Sequence, residues 1–92
     1  MAVLLSQEEL HVALKTLSGW NYRDNAIVKS YTFKDFVQAM RFVNTVAATA
    51  ESVNHHPDID IRWNTVKLAL STHSAGGLTE KDIHLATMID VC

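Results

Sequence analysis

The residues best suited to chemistry are three histidines in the second half of the chain. His55 and His56 are adjacent and precede Pro57, the only proline. With His73, all three histidines lie within residues 55–73. Histidine has an unperturbed pKa of about 6.5, so it can give or take a proton near neutral pH. Three such side chains this close together in a chain of 92 residues indicate proton-transfer chemistry.

The pattern around these histidines predicts that they meet in space. Apolar and polar residues alternate over 59–63 and again over 66–70, which is typical of an antiparallel β-hairpin with one buried face. With residues 64–65 as a two-residue loop, the register carried outward sets His56 opposite His73. Directly opposed residues have Cβ atoms about 4.5–5.5 Å apart. The histidine pair and His73 should therefore meet at one end of this hairpin.

The two adjacent histidines should not do the same job. Neighbouring side chains on extended backbone point in opposite directions, so one of His55 and His56 should line a pocket while the other braces the loop. A metal site is the rival interpretation, but consecutive donors close one tetrahedron poorly, and neither H-E-x-x-H nor C-x-x-C is present. We expect no metal. His11 and His84 lie on predicted helix surfaces and should be solvated.

Two carboxylates and one aromatic residue each have a structural interpretation beside a functional one. Asp82 is the last residue of a T-x-x-D capping box that starts at Thr79, so it can simply cap a helix. Glu51 can be a solvated carboxylate at the end of a long helix. Trp63 falls on the buried face of the predicted hairpin and can be part of the core.

The remaining elements follow from caps and from the spacing of apolar residues. The S-x-x-E box at Ser6 begins a helix, which is followed by strands over 20–23 and 26–33 around a tight turn. A long helix over 34–53 carries an apolar stripe formed by Phe36, Met40, Val43, Ala47 and Ala50, with Ala39, Phe42 and Val46 beside it. After the hairpin a last helix runs from the cap at 79 to about 91. The order αββαββα predicts an α+β fold, a four-stranded antiparallel sheet with three helices packed on one face.

Composition narrows the class of protein. A chain of 92 residues makes one domain, here 1–92, and 48% hydrophobic residues is enough to suggest that another subunit covers part of the surface. The apolar arc of the last helix is wide, which marks it as an oligomer contact. The net charge of −2 with scattered basic residues argues against direct nucleic-acid binding.

The compartment can also be argued from the residues. No apolar run approaches the ~20 residues that span a bilayer, and the first residues lack a basic segment and soon meet Glu8 and Glu9, unlike a secretory signal. Cys92 is the only cysteine, which excludes an intramolecular disulfide and a cysteine-based zinc site. We expect a cytoplasmic protein, and a mass of 10.3 kDa leaves passive entry into the nucleus open.

The spacing of the singled-out residues resembles a known signature. Glu51, the 55–57 segment, Trp63, His73 and Asp82 together are similar to the motif of the pterin-4a-carbinolamine dehydratases. The sequences of segments 70–73, 77–79 and 19–20 are also similar, which extends the resemblance to the whole domain. The family's fold has the same αββαββα order, which supports the order derived from the residues.

The resemblance implies a reaction and a set of roles. Aromatic amino-acid hydroxylases leave their tetrahydropterin with a hydroxyl on C4a, and the enzyme expels that hydroxyl as water without a cofactor. His55 and His73 would be the acid/base pair, and His56 would hold or orient the pterin. Which of the two adjacent histidines does which remains open. Animal relatives also act as dimerisation cofactors of a homeodomain transcription factor, so a transcription-factor partner is the alternative function.

The remaining assignments also follow from the resemblance. Glu51 and Asp82 would fix the tautomer or tilt of a neighbouring histidine. If Asp82→Asn lowers stability and leaves activity intact, the capping interpretation is right. The residues expected to contact the pterin, besides the three histidines, are Pro57, Trp63, Thr72, Ser74 and Ala75.

Overall fold

The computed structural model describes residues 3–92, which form three α-helices and four strands. The helices are α1 (Gln7–Thr16), α2 (Phe36–Ser52) and α3 (Glu80–Ile89), and the strands are β1 (Asn21–Arg23), β2 (Ala26–Thr32), β3 (Asp58–Arg62) and β4 (Thr65–Leu70). A single 3₁₀ turn, His73–Ala75, lies between β4 and α3. The predicted order αββαββα is confirmed, with helix and strand ends within a few residues of those expected.

The four strands form one antiparallel sheet in the order β1-β2-β4-β3, and one side of it carries the core. Ile27 of β2 and three residues of β4 (Val66, Leu68 and Leu70) are buried on that side. They belong to a single cluster with the buried residues of two helices, which are Ala39, Val43, Val46 and Ala50 of α2 and Leu85, Ala86 and Ile89 of α3.

The buried residues of α2 come from both of the adjoining stripes that were predicted. Phe36 is 49% exposed and Ala47 is also exposed, whereas Ala39 and Val46 are buried. Spacing alone does not say which residues of the two stripes meet the core. Packing against β4 and α3 buries Val43 and Ala50 of one stripe together with Ala39 and Val46 of the other.

The caps explain where the helices begin. Ser6 and Glu9 form the predicted reciprocal box on α1, with the Glu9 amide donating to Ser6 Oγ at 3.1 Å and the Ser6 amide donating to Glu9 Oε1 at 2.8 Å. The box of Thr79 and Asp82 on α3 is also formed. Asp35, which the sequence analysis missed, caps α2 by accepting from the Gln38 amide at 2.9 Å, so this helix begins at Phe36.

The register of the β3–β4 hairpin was predicted two residues away from its actual position. Arg62 pairs with Thr65, so the loop is Trp63 and Asn64, and Ile59 pairs with Leu68 instead of Leu70. Thr65 is a strand residue because β4 also pairs with β2 there. A shift of two keeps every strand side chain on its predicted face, but it moves Trp63 out of the strand. His56 therefore does not stand opposite His73 in the ladder.

The last helix does not present the wide apolar surface that was expected of it. Leu85, Ala86 and Ile89 are buried within the chain's own core, and Ile83 and Met88 are half-buried. Among residues 3–92, no helix is long and apolar enough to cross a membrane.

Candidate functional site

The candidate site lies at the open end of the β3–β4 hairpin. Residues 55–57 lead into β3 and residues 71–75 follow β4, and the pairing of Asp58 with Ala69 holds these two segments at the same end of the sheet. The structure thus places the histidine pair and His73 in one region although the predicted register is wrong.

The end of α2 sets the position of His55. Asn54 adopts a positive φ of 51°, its amide donates to Glu51 O at 3.2 Å, and the His55 amide donates to Ala50 O at 3.1 Å. These two bonds are those of a Schellman motif, which ends a helix with one left-handed residue. Asn is among the residues that tolerate this conformation. The chain therefore turns sharply after α2 and delivers His55 to the start of α3.

His55 is paired with a buried carboxylate. Its Nε2 lies 2.6 Å from Asp82 Oδ1, and the side chains of His55 and Asp82 are 11% and 0% exposed. A contact this short between a ring nitrogen and a carboxylate oxygen is typical of a charge-assisted hydrogen bond. The partner fixes the orientation of the imidazole.

Asp82 is held by two further donors on its other oxygen. Oδ2 accepts from the Thr72 hydroxyl at 2.8 Å and from the Thr79 amide at 2.9 Å. The Thr72 and Thr79 hydroxyls are themselves 2.7 Å apart, and all three residues are buried. Within the described residues no buried side-chain polar atom lacks a hydrogen-bond partner. Asp82 therefore caps α3 and contacts His55 at the same time, one function for each oxygen.

The pairing of His56 is similar in type but differs in environment. His56 Nε2 lies 2.8 Å from Glu51 Oε2, and the two side chains are 56% and 79% exposed. Pairs as exposed as this one contribute little to stability, because water and salt screen them. His56 can therefore move to meet a ligand at low cost, while His55 cannot.

The third histidine lies on the 3₁₀ turn. His73 and Ser74 are exposed and Ala75 is half-buried, and the turn ends at Gly76, which has a positive φ of 77°. His73 directly follows Thr72, the residue that donates to Asp82. The site therefore combines a fixed, nearly buried histidine with an exposed histidine one residue away from a donor to the same carboxylate. Two such histidines are suited to moving two protons on one bound molecule.

The polar groups of Thr72 have hydrogen-bond partners within the chain. Its hydroxyl is committed to Asp82, its amide donates to Gly77 O at 2.8 Å, and its carbonyl accepts from the Ala75 and Gly76 amides, both at 3.0 Å. The hydroxyl that was expected to contact the pterin ring therefore donates its hydrogen to Asp82. The sequence signal for this network was the pair of threonines that flanks the 73–78 loop.

Trp63 lies away from the histidines. It occupies the loop at the opposite end of the hairpin, and six residues of extended chain separate it from Pro57 by roughly 20 Å. It is 67% exposed, so its predicted place on the buried face is wrong. Trp63 is therefore too far from His55 of its own chain to line a pocket with it.

The other histidines and the acidic residues form no additional centre. His11 and His84 are exposed. Over residues 3–92, no group of three or more histidine, cysteine, aspartate and glutamate side chains is arranged to hold a metal ion.

Comparison with known proteins places these residues in a wider context. Residues 3–92 match the family model described as pterin 4 alpha carbinolamine dehydratase. A protein of Roseiflexus sp. (strain RS-1), provisionally named a pterin-4-alpha-carbinolamine dehydratase, is 51% identical over 90 residues, which cover 98% of this chain and 97% of the relative. A provisionally so named protein of Nostoc punctiforme is 47% identical and covers 97% of this chain and 96% of its own length.

Solved structures agree on the fold. The crystal structure of a transcriptional coactivator/pterin dehydratase from Brucella melitensis is similar, with a TM-score of 0.91, 39% identity and 95% coverage of both chains. A pterin dehydratase-like protein, identified as a RuBisCO assembly factor in the alpha-carboxysome, has a TM-score of 0.64 with 22% identity and coverages of 78% and 83%. This second likeness concerns the fold alone.

Proposed function

Because the chain belongs to the pterin 4 alpha carbinolamine dehydratase family, we propose that it is a hydro-lyase that dehydrates 4a-hydroxytetrahydrobiopterin to quinonoid dihydropterin. The observation that carries the proposal is the 2.6 Å contact between His55 Nε2 and the buried Asp82, beside the segment that bears His73. The single domain would thereby recycle the cofactor of aromatic amino-acid hydroxylases.

The reaction needs two proton transfers and no electron transfer. One histidine accepts the proton on N5, and the electron pair of that N–H bond forms the C4a=N5 double bond. The C4a–O bond breaks as the second histidine protonates the departing hydroxyl, which leaves as water. Each such acid or base contributes roughly 10²–10⁴-fold. The two histidines end the step with exchanged protonation states, which solvent resets.

We assign His55 and His73 as the acid/base pair. His55 is fixed by Asp82, whereas His73 is exposed on its turn and able to approach a bound ring. His56, exposed and weakly held by Glu51, suits the task of orienting the pterin. Pro57, Ser74 and Ala75 belong to the two segments, 55–57 and 71–75, that carry the three histidines. They would contact the ring through backbone and side-chain atoms. The proposed chemistry requires no metal or other cofactor.

The rate of loss of 4a-hydroxytetrahydropterin, followed by ultraviolet absorbance, tests the proposal. We expect the wild-type protein to accelerate the reaction over buffer, without an effect of chelator. His55→Ala and His73→Ala should each lower kcat/KM by about 10²-fold or more. His84→Ala is the matched control, because His84 is an exposed histidine on α3 outside the site.

Two results would count against the dehydratase. Wild-type protein that leaves the buffer rate unchanged would refute it. Equal activity of His84→Ala and His73→Ala, in folded variants, would remove His73 from the acid/base pair. Far-ultraviolet circular dichroism establishes that each variant is folded.

A binding function is the second candidate. The Brucella melitensis relative carries the words transcriptional coactivator in its name, and this chain exposes several large apolar side chains, among them Phe36, Val37 and Trp63. A pull-down with the purified protein tests this function. Capture of a transcription factor by a protein that does not dehydrate the pterin would favour it over the enzyme.

The assembly and the compartment complete the proposal. We infer a homodimer or homotetramer, because several large apolar side chains are exposed and a contiguous apolar patch marks an association surface. The lone cysteine, exposed at position 92, fits the reducing cytoplasm.

A further inference from the structure

The hydrogen bonds around Asp82 leave only one consistent arrangement of protons when its carboxylate is ionised. An ionised carboxylate can accept but not donate hydrogen bonds. Asp82 Oδ2 receives the Thr79 amide and the Thr72 hydroxyl, at 2.9 and 2.8 Å. Asp82 Oδ1 must then accept from His55 Nε2 across the 2.6 Å contact.

The two threonines make the direction of this network unambiguous. Thr72 has one hydroxyl hydrogen, which it gives to Asp82, so the 2.7 Å contact between the threonine hydroxyls requires Thr79 to donate. The Thr79 oxygen in turn accepts from the Lys81 amide at 3.2 Å. Donation therefore runs from the first turn of α3 through Thr79 and Thr72 to Asp82, with no group left free to reverse it.

We propose that Thr79, Thr72 and Asp82 hold the His55 proton on Nε2, so that Nδ1 is the atom through which His55 exchanges protons with substrate. A neutral imidazole carries one N–H donor and one acceptor, so a proton held on Nε2 leaves the lone pair on Nδ1. If His55 acts as the acid instead, the proton that it releases is also the one on Nδ1, because Asp82 retains the other. Thr72 and Thr79 are positioning residues, since they act through Asp82. This inference rests on the proposed dehydration only for the identity of the substrate.

The same geometry predicts an unusual result for Asp82→Asn. The Thr79 amide and the Thr72 hydroxyl both point donors at the Oδ2 position, so the amide oxygen of the new side chain must occupy it. The amide NH₂ then faces His55 Nε2, which can only accept from it. The His55 proton should therefore move to Nδ1, the nitrogen that must be free for the reaction.

Nuclear magnetic resonance of ¹⁵N-labelled protein tests this without substrate. At a pH where the imidazole is neutral, protonated and unprotonated ring nitrogens have well-separated shifts. We expect the wild-type His55 to be protonated on Nε2 and Asp82→Asn to be protonated on Nδ1. A wild-type ring protonated on Nδ1 would overturn the proposal, and so would an unchanged tautomer in a folded Asp82→Asn.

Steady-state kinetics test the consequence for the reaction. Asp82→Asn should lower kcat by about 10²-fold or more, as removal of His55 does. Thr72→Val should lower kcat by about tenfold, the effect of one lost hydrogen bond, with little change in KM because Thr72 acts through Asp82. Thr72→Ser keeps the hydroxyl and should restore kcat to within about twofold. A loss in Thr72→Val that appears in KM alone would contradict a positioning role.

A threonine elsewhere on the same helix provides the control. Thr87 of α3 is exposed and donates to Ile83 O at 2.9 Å, so Thr87→Val removes a hydroxyl from α3 without touching Asp82. Its His55 tautomer and kcat should match the wild type. A tautomer flip without a fall in kcat would refute Nδ1 as the reacting atom. The expected tautomers in a wild-type protein that performs no dehydration would instead refute the proposed function and leave the proton arrangement standing.

Discussion

At the scale of single residues, burial decides what each carboxylate can do for its histidine. Asp82 and Glu51 both lie within 3 Å of a histidine Nε2, but the Asp82 side chain is fully buried and that of Glu51 is 79% exposed. A buried carboxylate that accepts several hydrogen bonds holds its partner in one orientation, whereas water competes for the hydrogen bonds of an exposed carboxylate. His55 and His56 thus differ in mobility, although they are adjacent in the sequence and each is paired with a carboxylate.

Trp63 presents the opposite case, a residue whose backbone is strained. Its φ is 50° and its side chain is 67% exposed. Positive φ is costly for a bulky residue and free for glycine.

We therefore expect Trp63→Gly to leave stability unchanged or to raise the free energy of unfolding by up to about 1 kcal/mol. Because Trp63 lies roughly 20 Å from the histidines, kcat/KM should stay within about twofold. Urea unfolding and the dehydration assay measure the two quantities. Tyr22→Gly is the control, an exposed aromatic residue in a strand, and it should lose about 1 kcal/mol. Lost activity in folded Trp63→Gly would mean that this residue reaches a site on another chain.

At the scale of elements, one carboxylate fastens the end of α3 to the sheet. Asp90 accepts hydrogen bonds from Tyr31 at 2.7 Å, from Lys29 at 2.9 Å and from Trp20 at 3.1 Å. A carboxylate at a helix C-terminus is unfavourable by itself, and these donors compensate for it. Burial would raise the pKa of Asp90, but the hydrogen bonds from Tyr31, Lys29 and Trp20 and the Lys29 charge outweigh burial and lower that pKa.

Asp90→Asn should lower the free energy of unfolding by about 1–3 kcal/mol at pH 7. Since the folded-state pKa is lowered, this stabilisation is present above the ordinary aspartate pKa of about 3.9 and is lost as the pH falls through the folded value. The difference between wild type and variant should therefore shrink below about pH 4. Urea unfolding at several pH values measures it. Asp60→Asn, in an exposed pair with Arg62, should change stability by less than about 1 kcal/mol. An Asp90→Asn difference that persists at low pH would contradict the charge argument.

At the scale of the whole molecule, the apolar surface is distributed differently from the sequence expectation. The last helix uses its apolar residues inside the chain, while Phe36 and Val37 at the start of α2 remain exposed. The Trp63 loop is close to them, because Asn64 accepts from the Phe33 amide at 2.8 Å and donates to its carbonyl at 2.9 Å. An association surface is therefore better sought at this end of the molecule than on α3.

We expect sedimentation of the purified protein to give a mass of two or four chains. Val37→Lys should lower that mass at a given concentration, because a charge in an apolar contact is costly. Val12→Lys is the matched control, since Val12 and Val37 are both valines, both on helices and both 58% exposed. A wild-type mass of one chain at micromolar concentration would contradict the oligomer, and equal effects of the two substitutions would contradict a contact at α2.

The sequence by itself determined the element order, the caps at Ser6 and Thr79, and the region where the three histidines gather. These features depend on local contacts and on periodicity, which neighbouring residues specify directly. Only the tertiary structure decided the hairpin register and which residues of α2 are buried. It also decided that Asp82 pairs with His55 and that the Thr72 hydroxyl donates to Asp82. Each of these depends on contacts between segments distant in the chain, such as β2 with β4 at Thr65, and such contacts overrule what a loop or a stripe prefers alone.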